Sequence, residues 1–522
     1  MPNMLKLALS ALVVIPLAGH GQTLRTTAAN PDSALLTILN KLEGTALPLK
    51  DAVQNGLESA TSVRSAEAAY MSARGAARRE AGAFDPSLFF SFTQLNQDQP
   101  TASFFSGANI LTTKQSSAIG GLRMNLPTGT GIEASLSAVT LETNSAFANL
   151  NPQYTTFGNL SLRQPLLRGF TVSGNKNAAK ADRDLEAAKA RYDQEVLAVS
   201  TMVEQGYWDL YAAERDFAVQ QLTRDRAEAF LRDTETRART GLVGPNQVAN
   251  AKTFLAEQEI LLLDRQEQLD RLSDGLSSLI GRRPDAGKTR LITVDRPPDD
   301  FPVGDVDALV EQAKEKNLAL RAATSDVESR RTLADAAFWE ALPQVDLVAS
   351  LGSNGLTGTA QDVIFNNDTL RTANGGSFST ALRQALRREF PAWSLGVEIN
   401  IPIGLRSGLG EEDRLDAEVV IAEQRRIQEE RLLEEEVRAS FRELENGKRR
   451  LQAAREGVDA AQEQVRIGLI EFQNGRSTAF ELVRLGEDFA VAQQRYSQAL
   501  VRSAKAAASL KYLTSGAYDV SR

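Results

Sequence analysis

Reaction chemistry needs a nucleophile, a proton carrier or a set of metal ligands, and this sequence supplies almost none of them. No cysteine occurs in its 522 residues, and the one histidine is His20. That rules out a thiolate nucleophile, a thiolate metal site, a disulfide framework and a Ser/His/Asp relay in the body of the chain. The glycine-bearing stretches GTGIE (Gly129–Glu133) and GRSTAF (Gly475–Phe480) are too weak to read as a phosphate-cradling loop. Carboxylates are abundant, but a cluster such as Glu429, Glu430, Arg431, Glu434, Glu435 and Glu436 is most simply a solvated helix face with i,i+4 partners. The expectation is a protein that is not an enzyme and takes no cofactor or metal.

The elements must then carry the function. With 42% hydrophobic residues the chain can bury ample apolar surface, and a net charge of -8 leaves no basic excess for nucleic acid. Met1 to about Gly21 reads as a secretory signal peptide: Lys6 is the basic start, Leu7 to Ala18 the apolar core, and Gly19-His20-Gly21 a small-residue region. No cysteine follows it, so a lipid-anchored N-terminus is not expected. No other stretch approaches 18 apolar residues, so a membrane crossing by the mature chain must be a β-barrel.

The chain also repeats itself. Ala52 to Pro86 lies over Leu309 to Pro343 without a gap, matching at apolar and small positions. Pro165 to Gly241 and Pro402 to Gly475 are of nearly equal length, whereas the strand regions before them differ. A unit of roughly 200 residues exceeds an ordinary solenoid repeat and points to a duplicated protomer that builds a pseudo-symmetric assembly. The division that follows is a signal peptide at 1–21, an N-terminal tail at 22–44, a first repeat at 45–284, a linker at 285–304, a second repeat at 305–516 and a C-terminal tail at 517–522.

Strand signals fall between the helices of each repeat. Trp393, Leu395, Val397, Ile399 and Ile401 alternate with Ser394, Gly396, Glu398 and Asn400, one apolar and one polar face at a period of two. Leu88, Phe90 and Phe92 alternate likewise, as do Val345, Leu347, Ala349 and Leu351; Phe157 with Leu162 are assigned to one side, with Asn159 and Arg163 nearby. Lipid outside and water inside require this pattern, although a soluble sandwich strand shows it too. A further hairpin is expected from Leu122, Met124 and Leu126 to Ile132, Ala134 and Leu136, turned by Pro127 to Gly131. It has no counterpart in the second repeat, so the count is four strands, or six if the hairpin joins the sheet. Pro127, Pro165 and Pro402 each stop a strand, which places the three ends on one rim.

Helical heptads fill the rest. Leu185, Tyr192, Val196, Val199, Val203, Tyr207 and Leu210 repeat at sevens, fours and threes; Leu433, Val437, Phe441, Leu444, Leu451, Val458, Val465 and Phe472 repeat more strictly. Each is a helix of roughly 65 residues, ~100 Å at 1.5 Å per residue, longer than any compact domain. Each reverses at a glycine, Gly241 or Gly475, into a return helix that ends near Gly281 or Gly516. Two long hairpins with exposed tips result, and a tip is where a partner would dock.

The segments VEQGYWDLYAAERDFAVQQLTRDRAEAFLRDTETRARTGLVGPNQV and IGLIEFQNGRSTAFELVRLGEDFAVAQQRYSQALVRSAKAAASLKYL are similar to the two tip-forming hairpins of the TolC-like outer-membrane efflux protein family. LRQPLLRGF resembles the strand-to-helix junction of that family's first repeat, and the resemblance spans about Thr45 to Gly516. It implies an α+β membrane protein: a homotrimer with a β-barrel in the outer membrane, continued through the periplasm by a long α-helical barrel. It further implies a passive exit duct of a tripartite efflux system, joined by a periplasmic adaptor protein to an inner-membrane transporter. Trimerisation would close twelve or eighteen strands and give the tip sixfold pseudo-symmetry. The proline-rich RPPDDFP around Pro297, Pro298 and Pro302 would belong to a belt around the waist.

The tip departs from the family pattern. The acid that contributes to the family's constricting ring matches Glu481, one carbon longer than the usual aspartate, and Arg484 stands where a second acid can sit. A single acid ring flanked by arginine attracts cations less than two acid rings. The family's latch, a tip tyrosine or arginine linked to an aspartate of the first repeat, matches Phe472, Ser477 and Gln247 here, so that latch does not carry over. Adaptor contact is assigned to Gly241, Leu242, Val243, Gly475 and Arg476. Substrate, pump energy source, strand number and closed-state latch stay open. So do two other functions: a type I protein or polysaccharide secretion duct of the same fold, and a periplasmic coiled-coil scaffold without a pore.

Overall fold

The computed structural model describes residues 31–103, 106–283, 290–365, 368–474 and 476–518. The expected signal peptide, His20 and Gly475 lie outside them. Within the N-terminal tail a helix, α1 (Pro31–Leu39), docks with Leu35 buried against Ala218, Val219 and Ala490. A three-residue strand β1 (Thr45–Leu47) leads into α2 (Leu49–Ser59) and α3 (Thr61–Ala81).

Ahead of Pro86 the chain forms two helices rather than one, broken at Ala60, with a 3-10 turn over Gly82–Phe84 before the first long strand. In the second half α6 (Val306–Lys316) and α7 (Leu318–Ala341) break at Asn317, the residue that the ungapped alignment sets over Ala60. The two break residues have nearly the same extended backbone, φ -62° and ψ 123° against φ -62° and ψ 125°. Aligned pairs are buried together: Gly56 with Ala313, Val63 with Leu320, Ala77 with Ala334. Asn317 caps α7 by accepting from Leu320 N at 2.9 Å, and its amide donates to Leu513 O at 2.9 Å.

The long strands are β2 (Ser87–Pro100), β3 (Ile110–Asn125), β4 (Gly131–Thr143) and β5 (Leu150–Pro165), then, beyond the three-residue β6 (Leu291–Thr293), β7 (Gln344–Ala360). A small hairpin of β8 (Val363–Phe365) and β9 (Asp368–Leu370), the helix α8 (Phe378–Arg387) and β10 (Phe390–Asn400) follow. One antiparallel six-stranded sheet forms in the order β10-β7-β5-β4-β3-β2, so the extra hairpin joins it and the two halves contribute two and four strands. Asn125, Pro165 and Asn400 end their strands at the same margin, beside Gly131 and Gln344. That margin joins the long helices.

Register turns the alternation into two faces. Leu88, Leu122, Ala134, Leu160, Leu351 and Trp393 lie in one row across all six strands. The neighbouring row on the other face reads Ser87, Arg123, Glu133, Ser161, Ser350 and Ser394. Among the described residues nothing covers most of the apolar face: Leu88 is 86% and Trp393 76% exposed. On the polar face Arg123 pairs with Glu133 at 2.8 Å, and Arg163 reaches Asp346 at 2.5 Å and Glu398 at 3.1 Å, tying β5, β7 and β10. One strand assignment needs correction. Phe157 and Leu162 are five residues apart and so point to opposite faces; Leu160 accompanies Leu162, while Phe157 lies on the polar side over Gly352.

The helical hairpins match residue for residue. α4 (Val172–Arg239) and α9 (Arg406–Gln473) are each 68 residues, and α5 (Pro245–Leu279) and α10 (Ala479–Leu513) are each 35. At 1.5 Å per residue the long members reach ~100 Å. The small difference between the two proline-to-glycine distances therefore lies ahead of the helices, in the junctions after Pro165 and Pro402. α4 stops at Thr240; Gly241, at φ 75°, makes the left-handed turn, and Pro245 opens α5 with a φ already suited to a first turn.

The largest buried cluster sits at the waist, where Val203, Tyr207 and Leu210 of α4 meet Leu269 and Leu276 of α5, Val437 of α9, and Val501 and Leu510 of α10. The linker between the halves is fastened there. β1 and β6 pair in parallel. The Tyr207 hydroxyl accepts from Val294 N at 2.9 Å and Asp295 N at 3.0 Å and lies 3.0 Å from Leu47 O, which uses its one donor and both lone pairs. One turn pair further on, Glu214 accepts from Thr293 N at 2.8 Å and Thr293 Oγ1 at 2.5 Å. Phe301 of the linker is buried in the same cluster.

Burial raises the Glu214 carboxyl from 4.5 to about 7 despite the Thr293 hydrogen bonds and nearby Arg215. Burial likewise lifts Asp216 from 3.8 to about 6, against the pull of Arg265. Both acids hold protons in the folded state at a pH where the unfolded chain has released them, so the contribution of Glu214 is full below 4.5 and lost as pH rises to about 7, and that of Asp216 is full below 3.8 and lost by about 6. Melting of the purified protein should show stability falling between pH 5 and pH 8. Glu214→Gln, which keeps an acceptor for Thr293, should remove on the order of 2 kcal/mol of that fall; an unchanged pH profile would contradict the buried-acid account.

Candidate functional site

The sequence directs attention to the tips, and the two tip turns come close in the structure. Phe472, near the end of α9, lies under the guanidinium of Arg237 in α4, 5.2 Å from ring centroid to Cζ. Arg237 also pairs with Asp233 at 2.8 Å. Phe230 of α4 and Phe480 of α10 approach at 6.4 Å between centroids. The hairpins are thus held to each other near their ends by an arginine on an aromatic face and an aromatic pair, each worth about 0.5–1 kcal/mol. Phe472 has no hydroxyl to hydrogen-bond, but its ring receives a cation from the first half of the chain.

The acid singled out by sequence has a local task. Thr478 is the N-cap of α10, its hydroxyl accepting from Glu481 N at 3.2 Å, and Ser477 Oγ donates to Glu481 Oε2 at 3.1 Å. Thr478-x-x-Glu481 is the spacing of a capping box, a helix-start signal legible in the sequence and overlooked there. Glu481 and Arg484 are both exposed, three residues apart on α10, and no ion pair between them is found among the described residues. Gln247 is exposed in the first turn of α5. In the first tip turn Gly241 and Leu242 are exposed, Leu242 by 76%, and Val243 is half-buried. In the second, Arg476 is exposed, with its N–H bonded to Glu471 O at 2.8 Å. The structure brings Phe472, Ser477 and Glu481 to one tip, and Gly241, Leu242, Val243 and Gln247 to the other.

Sequence reasoning missed the ground just behind the tips. A cavity of about 410 Å³ opens between α4, α9 and α10, lined by Phe230, Val465, Leu469, Phe472, Leu482 and Val483. Arg226 borders it, donating to Gly486 O at 3.3 Å, and burial pulls this guanidinium below its ordinary value. The glycine is what admits it: a Cβ at Gly486 would come 2.9 Å from Arg226 Nη1. Among the described residues no group of His, Cys, Asp or Glu is arranged to hold a metal ion. Among the described residues no helix is long and apolar enough to cross a membrane.

Arg237→Ala and Phe472→Ala should each loosen the tip, with a coupling of about 0.5–1 kcal/mol in a double-mutant cycle. Amide hydrogen exchange in the first turns of α10 reads this out; strictly additive effects would show that the pair does not interact.

Comparisons with known proteins bear on the whole architecture. Residues 309–516 match the family model described as outer membrane efflux protein. No curated protein matches the chain in sequence. Among solved structures, the outer-membrane channel OprN is 16% identical, with a TM-score of 0.61 and 90% of each chain covered. The outer membrane protein VceC of Vibrio cholerae is 16% identical at a TM-score of 0.60, covering 90% of this chain and 97% of its own. The open-state MtrE outer membrane channel of Neisseria gonorrhoeae, also 16% identical, has a TM-score of 0.58 and coverages of 90% and 89%. At that identity these channels share the fold. The second half of the chain thus matches the outer membrane efflux protein family model, and nine-tenths of its length has the fold of these outer-membrane channels.

Proposed function

We propose that this protein is the outer-membrane channel of a tripartite efflux system, a passive duct for substrates delivered by an inner-membrane transporter through a periplasmic adaptor. The observation that carries the reading is the two-faced sheet: an uncovered apolar row from Leu88 to Trp393 beside a polar row from Ser87 to Ser394, continued from one margin by helices ~100 Å long. A water-filled barrel in lipid requires this arrangement of faces, whereas a periplasmic scaffold would leave the apolar face without a use.

The open edges support a trimer. β2 and β10, of 14 and 11 residues, each have one unpaired side, and such edges invite a strand from another copy. Three copies of six strands would close an eighteen-stranded barrel. Apolar side chains left open on the helices, Ile260 and Leu263 on α5 and Val420 and Ile421 on α9, suit contacts between copies in a helical barrel. In this reading the helices lie in the periplasm and Gly241, Leu242, Val243, Gly475 and Arg476 meet the adaptor. Glu481 then forms the constricting ring beside Arg484, and Arg237 on Phe472 takes the place of the family's latch. A protein or polysaccharide secretion duct would share all of this and differ in its inner-membrane partner.

Envelope fractionation and mass measurement in detergent should recover the protein from the outer membrane as a trimer; a soluble monomer or dimer would overturn the reading. The native chain has no cysteine, so single cysteines stepped along β2 and β10 give a clean test of the edge pairing, with disulfide-linked copies expected. In planar bilayers Glu481→Gln should lower cation preference, and unaltered selectivity would remove Glu481 from the ring.

A further inference from the structure

Among the described residues the apolar face of the sheet is covered in one place. At the level of Ser353 and Gly355, β5 and β7 present only small side chains, Gly158 and Thr156 being their partners. α8 lies over this patch. Ala381 and Ala385 are buried, Thr156 Oγ1 donates to Ala381 O at 2.7 Å, and Leu356 N donates to Gln384 Oε1 at 2.9 Å. A Cβ on Gly355 would come within 2.0 Å of Ala381 O, so the glycine is what lets the helix lie flat on the strand. Phe378 meets Tyr154 edge to face at 6.1 Å. The helix is therefore docked on the sheet.

Its level is informative. Apolar rows run from Val345 and Ile399 up to about Gly355, roughly ten residues of strand, or ~25 Å of height at the usual tilt of ~40°. Beyond that the same face turns polar, with Thr357, Tyr154, Thr140, Ser116 and Gln94. α8 marks this border, at the end of the sheet opposite the long helices. At 100° per residue, Leu382 and Leu386 follow the buried stripe, Leu386 being 68% exposed, while Arg383 and Arg387 ride the crest and Arg388 stands after them as the exposed left-handed C-cap. All three arginines are exposed and, among the described residues, make no ion pair, whereas Arg371 in the preceding loop pairs with Asp362 at 3.3 Å.

We infer that α8 is an interfacial anchor: its apolar flank meets acyl chains, and Arg383, Arg387 and Arg388 bind the phosphate groups of anionic lipid headgroups in the leaflet around the far end of the sheet. The inference rests on the reading that the sheet spans a bilayer. Charge complementarity and continuity with the apolar band favour a lipid over a soluble anion, because the arginines sit where acyl chains give way to headgroups. Guanidinium forks suit phosphate, and a stem lying along apolar surface lets each charge reach the interface.

Native mass spectrometry of the full-length protein tests this, with bis-phosphorylated lipid A as the anionic probe and phosphatidylethanolamine as the reference. The wild type should retain lipid A preferentially. A variant carrying Arg383→Gln, Arg387→Gln and Arg388→Gln should bind it roughly a hundredfold more weakly, while inserting into phosphatidylcholine vesicles as the wild type does. Millimolar inorganic phosphate should not displace the lipid. Equal retention by the two proteins, or displacement by inorganic phosphate, would overturn the anchor. Insertion of the wild type without a lipid A preference would overturn the anchor alone; failure to insert would overturn the bilayer reading with it.

Discussion

Hydrocarbon offers no hydrogen bonds, so every strand N–H and C=O placed in it must find a strand partner. On the proposed reading of the sheet as a bilayer-spanning one, much of this architecture answers that constraint. Five strand pairings satisfy the interior of the sheet, and among the described residues β2 and β10 are left with bare edges. In the proposed trimer, folding and assembly become a single problem, because other copies would supply the missing neighbours of the sheet. The row from Leu88 to Trp393 is likewise left without a cover among the described residues, and in the proposed barrel lipid would supply it. In the proposed assembly the duplicated helices would carry the ring closed by the strands to a point ~100 Å away.

The waist is built differently. There the stabilising contacts are aromatic and carboxylic groups taken out of water, with Tyr207 and Glu214, seven residues apart on α4, holding the linker between the two halves. A heptad places both on one stripe, which is why a pattern read as a packing seam also serves as a clamp. The buried acids tie that clamp to proton concentration, and Asp216, with an orphaned Oδ1, adds a second group that tolerates charge poorly.

Legibility from sequence followed the length of the signal. Two heptads sustained over dozens of residues located α4 and α9 within a few positions, and the period of two in β10 assigned its faces correctly. Short signals fared worse. Phe157 and Leu162 were placed on one face although an odd separation forbids it, because no long alternation flanked them to expose the error. Whether the hairpin at Pro127 joined the sheet turned on long-range pairing, which local pattern does not contain. α8 left no trace in the reading, since its two buried residues are alanines whose role depends on Gly355, distant in sequence. At the tip the capping box at Thr478 was readable, but the resemblance drew attention to the charge of Glu481 and away from its place in a helix start. Arg237 over Phe472 joins residues that no spacing relates.

The equality of the two hairpins, 68 and 35 residues in each half, also governs how such a chain can change over time. One residue lost from a single hairpin would lower that tip by ~1.5 Å relative to its neighbour and leave the rim uneven. A viable change in reach therefore requires matched events in two separate stretches of the gene. Inherited variation in length has an easier outlet elsewhere, in the loops and extra hairpin of the sheet, where the halves already differ without disturbing the level of the rim.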